Sequence, residues 1–158
     1  MAILSTATAT LQVSSPSFKN GDYIPTMYTC EGQSINPPLE IQGIPQGTRT
    51  LALIMDDPDA PAGTFDHWVI WNIEPAKTIR ENSAPGTEGS NGKGAKGYTG
   101  PCPPAGTGLH HYHFKVYALN TKLDLQTGVK KADLESAMKG HILGQGELVG
   151  LYANTKGK

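Results

Sequence analysis

Prolines and glycines cut this chain into short pieces, and that limits its fold more than any other feature. Its 158 residues include 12 prolines and 19 glycines, spread along the whole length. Proline fixes φ and offers no ladder donor, and glycine weakens any regular element it interrupts. Long helices have almost no room, whereas many short strands joined by tight turns fit well. One stretch escapes the pattern: from Lys131 to Gly140, Leu134, Ala137, Met138 and then His141 recur at helical spacing. His141 there reads as a packing residue at the helix end.

The remaining apolar runs have strand character. Thr50 to Asp57 reads as a buried strand, with Leu51, Leu53, Met55 and Asp57 on one face. His67 to Ile73 is apolar on both faces, and strict alternation puts His67 on one side with Val69, Trp71 and Ile73. Both Trp68 and Trp71 are expected in the core. His110 to Leu119 is a third strand, with His110, Tyr112, Phe114 and Val116 on one face and His111, His113, Lys115 and Tyr117 on the other. Glu147 to Tyr152 closes the chain as a strand, and Leu11 to Val13 fits an edge strand. Residues 83–97, rich in Gly, Ser and Asn, predict a long surface loop that serves as a pocket lid or rim. The pattern predicts an all-β sandwich with one or two small helices, in a single domain over residues 1–158.

Charge and hydropathy remove whole classes of function. Formal net charge is −1, and Lys and Arg never cluster beyond Lys130-Lys131, so no basic stripe exists for nucleic acid. No apolar run approaches the roughly 18–20 residues of a membrane-spanning helix. The start, Met1-Ala2-Ile3-Leu4-Ser5-Thr6-Ala7, has neither the basic region nor the apolar stretch of a secretion signal, so a cytoplasmic location is expected. In that compartment Cys30 and Cys102 read first as two reduced thiols; a disulfide between them and a catalytic thiol are the alternatives.

Two motifs carry the chemistry. Asp57-Pro58-Asp59-Ala60-Pro61 is followed by His67-Trp68, and Gly100-Pro101-Cys102-Pro103-Pro104 runs into His110-His111-Tyr112. Each sets ionisable groups where a strand meets a rigid Pro/Gly turn, and groups held that stiffly lose little entropy when they engage a ligand. His110 heads an inward apolar row, as Asp57 does on another strand, and so does His67. The plainer alternatives are that Asp57 and Asp59 only cap the turn backbone and that His67 and His110 are hydrogen-bonded core residues. His111 and His113 share a face, but two ligands alone make a weak metal site.

A third run closes the chain: Gly140-His141-Ile142-Leu143-Gly144-Gln145-Gly146-Glu147-Leu148-Val149-Gly150-Leu151-Tyr152. With the two motifs before it, it resembles the phosphatidylethanolamine-binding protein (PEBP) family, which includes Raf kinase inhibitor protein. The resemblance extends from about Phe18 to Tyr152 and is nearest to the compact bacterial and archaeal branch. It implies a PEBP-like antiparallel β-sandwich of Greek-key type. It also implies a pocket built from Asp57, Asp59, His67, Gly100, Pro103, His110 and Tyr112, with no cofactor. Cys102 and Phe114 depart from residues common in relatives and could alter the pocket's width.

The ligand so implied is a small anionic or zwitterionic phospho-compound of the phosphate or phosphoethanolamine type. A carboxylate would face the ammonium, while His and Tyr, with free N–H groups of the Gly100–Gly108 loop, would face the phosphate. Some members of that family inhibit kinases or serine proteases, so a protein kinase or protease is the implied partner; a homodimer stays open. The competing reading is a metal-dependent hydrolase using the same Asp and His residues. No nucleophile with a partnered base can be read from the chain, so a binding protein and not an enzyme is expected.

Overall fold

The structure is a computed structural model that describes residues 8–154. The reading of residues 1–7 as lacking a secretion signal lies outside the described residues. Among those described, nine strands form two sheets. β1 (Ala9–Thr10), β2 (Gln12–Ser14) and β3 (Leu39–Gln42) come first, followed by β4 (Thr50–Asp57) and β5 (Phe65–Ile73). β6 (Thr78–Ile79), β7 (Thr87–Glu88) and β8 (His110–Leu119) lead to the helix α1 (Lys131–Met138) and the last strand, β9 (Ile142–Tyr152). The larger sheet has the order β1-β9-β8-β4-β5-β7, and the smaller one β2-β3-β6. Pairing is antiparallel except at one edge, where β1 runs parallel to β9.

Every residue of β4 is buried, which a strand achieves only with cover on both faces of its sheet. Between the sheets, Leu51, Leu53 and Met55 meet Leu39, Ile41 and Ile79 of the smaller sheet. On the opposite face, Ala52 and Ile54 pack with Leu134 and Met138 of α1. An ion-pair cluster fastens the helix there: Lys131 Nζ lies 2.8 Å from Asp66 Oδ1 and 3.5 Å from the buried Asp56 Oδ2. Gly140, at φ 81°, turns the chain after α1 into β9, as left-handed glycines commonly do behind a helix.

β5 departs from simple alternation. Met55 pairs with Trp68 while the next residue, Asp56, pairs with Asp66, so one extra residue sits in β5. A second extra residue follows, since Leu51 and Leu53 pair with Ile73 and Ile70. Asn72 lies in that stretch at φ 56°, held by its side chain to Leu123 N and O at 2.8 Å each. Each β-bulge shifts the side-chain phase by one. As a result Trp68, Ile70 and Ile73 enter the inter-sheet core, and Val69 and Trp71 enter the core under α1. The expectation that His67 shares a face with Val69 and Trp71 is therefore corrected: its ring lies against Tyr112, 5.2 Å between centroids, on the inter-sheet side.

Two further expectations change. Residues 83–97 are not a surface loop throughout, because β7 within them pairs with Ile70 and Trp71. Cys30 and Cys102 are joined in a disulfide, not reduced thiols.

Candidate ligand-binding site

The β4 and β8 rows end at the same place, and their polar ends meet. Asp57 closes β4 and His110 opens β8; their side chains are 4% and 2% exposed, and His110 Nδ1 donates to Asp57 Oδ2 at 2.7 Å. The other carboxylate oxygen, Oδ1, accepts the Asp59 backbone N–H at 2.8 Å, so the Pro-rich turn itself holds Asp57 in place. The bond to Oδ2 also fixes a proton on His110 Nδ1 and leaves Nε2 as the variable nitrogen.

Nε2 meets a residue that sequence reasoning missed. Thr107 Oγ1 lies 2.9 Å from it and 2.6 Å from the Pro104 carbonyl. When the hydroxyl donates to Pro104, Nε2 must be the donor to Thr107. When the hydroxyl turns to Nε2, the Pro104 carbonyl keeps the Thr107 backbone N–H at 3.2 Å. The one sequence signal for Thr107 is its place three residues before His110, between Gly106 and Gly108.

Around this pair lies a cavity of about 490 Å³, lined by Asp57, His67, Gly100, Pro103, His110 and Tyr112 from the motifs. Ala60, Pro61, Ala62, Phe65 and Lys93 complete much of its wall. Asp59, the remaining residue of the implied set, is placed elsewhere. Its Oδ2 accepts from the His111 backbone N at 2.8 Å and from His111 Nδ1 at 2.7 Å, on the exposed side of β8. The neighbouring imidazole holds the Asp59 carboxyl below the usual carboxylate range. His113 turns to Glu147 instead, Nδ1 to Oε2 at 3.3 Å, so the two outward histidines have different partners. His141 bonds to Asn120 Oδ1 at 3.0 Å.

Gly100 serves packing more than donation. A Cβ there would stand 2.5 Å from the Tyr28 carbonyl oxygen, and its N–H donates to Ser34 Oγ at 2.9 Å. The expected free N–H at this position is thus already used. Tyr112 differs: its hydroxyl is buried with no hydrogen-bond partner among the described residues. Burial first, then Asp57 and Asp59, push its pKa up, so it stays a phenol and a donor. A buried unpaired hydroxyl beside a cavity is costly unless something occupies that cavity.

His67 donates from Nδ1 to the Thr99 carbonyl at 2.7 Å, which leaves Nε2 as an acceptor in the neutral ring. Burial pulls its pKa below the ordinary histidine range, against the opposing pull of the Thr99 bond and of Asp57. Below about pH 6.5 the unfolded chain takes up a proton that native His67 resists, so stability falls as pH drops and is fully present above that range. Urea midpoints of the wild type are expected to fall between about pH 7.5 and 5. His67→Asn keeps a donor for Thr99 but cannot titrate, and should fall less. Equal slopes for the two proteins would remove His67 as the cause.

A model of the family described as phosphatidylethanolamine-binding protein matches residues 14–153. A UPF0098 protein of Pyrococcus horikoshii is 52% identical over 151 residues, spanning 90% of this chain and 76% of its own length. A crystal structure of a PEBP homologue from Chlamydia trachomatis superposes with a TM-score of 0.87 at 37% identity, covering 92% of this chain and 98% of the other. YbcL of E. coli, described as a member of the mammalian PEBP family, gives 0.84 at 29% identity, covering 92% and 99%. This chain belongs to the phosphatidylethanolamine-binding protein family.

Proposed function

We propose that the cavity beside His110 binds a phosphate-type group and that the protein acts by binding, not by turnover. The observation that carries this reading is the unpaired Tyr112 hydroxyl, buried next to the Asp57–His110 pair. Tyr112 supplies a donor for a phosphate oxygen, His110 Nε2 a second when it carries a proton and the ligand displaces Thr107, and Lys93 adds positive charge to the wall. The neutral His67 Nε2 is suited to accept from a P–OH, which hydrogen phosphate has and sulfate lacks. Phosphoethanolamine is one bearer of such a group, in keeping with the family.

The lining offers little for catalysis. Its one cysteine, Cys102, is in the disulfide, and no group of three His, Cys, Asp or Glu side chains is arranged to hold a metal among the described residues. One observation favours the rival hydrolase: Thr107, His110 and Asp57 line up as a nucleophile, a base and its orienting acid would. Against it, the Thr107 hydroxyl also bonds the Pro104 carbonyl at 2.6 Å, which competes with its bond to His110. With no turnover, the output of binding is a change in what the surface contacts, in line with a regulator of a kinase or protease. We propose a cytoplasmic location; the Cys30–Cys102 disulfide, a kind of bond common in oxidising compartments, makes cell fractionation the test of it.

Titration with inorganic phosphate, followed by amide and imidazole NMR, is expected to shift His110, Tyr112 and the Gly100–Cys102 segment. Absence of shifts there would overturn the binding reading. Phenyl phosphate should stay intact during long incubation; release of phenol that Asp57→Asn abolishes would replace it with the hydrolase.

A further inference from the structure

Residues 104–109 read Pro-Ala-Gly-Thr-Gly-Leu, a segment with a single polar side chain, that of Thr107. All six residues are exposed, between the buried Pro103 and the buried His110. Little apolar burial therefore holds this strap down between its two anchored ends. Its backbone closes a turn, Thr107 N to Pro104 O at 3.2 Å, with Gly106 inside it at φ 82°. Gly108, at φ 77° with open space where a Cβ would stand, joins that turn to β8. The side chain that ties the turn to the body of the protein is Thr107, whose Oγ1 lies 2.9 Å from His110 Nε2.

That tie uses the nitrogen a ligand needs. His110 Nδ1 is committed to Asp57 at 2.7 Å, so Nε2 is the ring's one remaining polar atom. It carries either one proton or one lone pair and serves one close partner at a time. Letting go costs Thr107 little, because its hydroxyl keeps the Pro104 carbonyl at 2.6 Å and stands in an exposed segment. A hydrogen bond with an ionised partner is roughly twice as strong as a neutral one. A phosphate oxygen at Nε2 therefore outcompetes the hydroxyl.

Resting on the phosphate reading above, we propose that Thr107 is an internal latch. When shut, it places its hydroxyl on His110 Nε2 and fastens the strap of residues 104–109; a phosphate group taking that nitrogen opens it. Occupancy of a buried site is thereby converted into motion of an exposed segment. That segment carries Leu109, a large apolar side chain 44% exposed. The apparent affinity for phosphate is lowered by the fraction of molecules in which the latch is shut.

Calorimetry with inorganic phosphate on the wild type, Thr107→Val and Thr107→Ser reads the latch. Valine matches threonine in shape and lacks the hydroxyl. Thr107→Val is expected to bind phosphate about three- to tenfold more tightly, the worth of one neutral hydrogen bond. Thr107→Ser, which keeps the hydroxyl, should stay close to the wild type. Backbone NMR order parameters of the strap should fall when phosphate is added to the wild type, and should already be low in Thr107→Val without it. Affinity in Thr107→Val equal to or weaker than that of the wild type would overturn the latch while the phosphate site stands. So would strap order parameters that phosphate leaves unchanged. If the wild type binds no phosphate, or binds it with no shift of the His110 imidazole, the phosphate reading fails and the latch with it.

Discussion

Replacing His110 by Asn is expected to weaken inorganic phosphate binding roughly ten- to a hundredfold while the protein stays folded. Asn can offer an amide N–H near the position of Nδ1, which keeps Asp57 paired, but has nothing at the position of Nε2. The loss is then that of one hydrogen bond to a charged group, about 1.5–3 kcal/mol. His110→Ala is a different experiment. Asp57 is 4% exposed, and losing its 2.7 Å partner strands a buried carboxylate. Breaking a buried pair from one side costs about 3–5 kcal/mol of stability, so an affinity change in that variant mixes binding with unfolding. Calorimetry on the Asn variant and urea denaturation on both separate the two effects. Unchanged phosphate affinity in a folded His110→Asn protein would sink the role given to Nε2.

Opening the disulfide should have the largest effect on stability away from the ligand. Cys30 and Cys102 are separated by 72 positions, and a cross-link of that span removes considerable freedom from the unfolded chain. The chain-entropy model puts this at about 4 kcal/mol. The Cys30→Ala, Cys102→Ala double variant should therefore unfold at clearly lower urea. Phosphate affinity should change far less. The rim segment stays fastened by Cys30 N to Pro101 O at 3.0 Å, Gly100 N to Ser34 Oγ at 2.9 Å and the Tyr98 hydroxyl to Tyr28 O at 2.7 Å. An unchanged urea midpoint would show that the unfolded chain is already restricted in this region.

Residue pattern alone was enough for the strands whose alternation is uninterrupted. β8 buries His110, Tyr112, Phe114 and Val116 on one face, as period two requires, and β4 carries Asp57 on the same face as Leu51, Leu53 and Met55. The helix was legible for the same reason, from Leu134 and Met138 one turn apart. Both motifs stood out because proline and glycine mark turns without reference to the rest of the fold.

Tertiary pairing decided the rest. Alternation cannot report a bulge, because the extra residue is defined only against a neighbouring strand, and the bulge at β5 is what turns His67 toward Tyr112. Asp57 and Asp59 are two residues apart in one turn, yet one faces the cavity and the other His111; the course of β8 beside the turn selects between them. Thr107 and Lys93 gain their places from loops, where no period exists to read. The disulfide likewise depends on bringing together two segments far apart in sequence, with Cα atoms 5.4 Å apart. Local side-chain order thus set which groups could face inward, and strand pairing and loop placement set which of them meet.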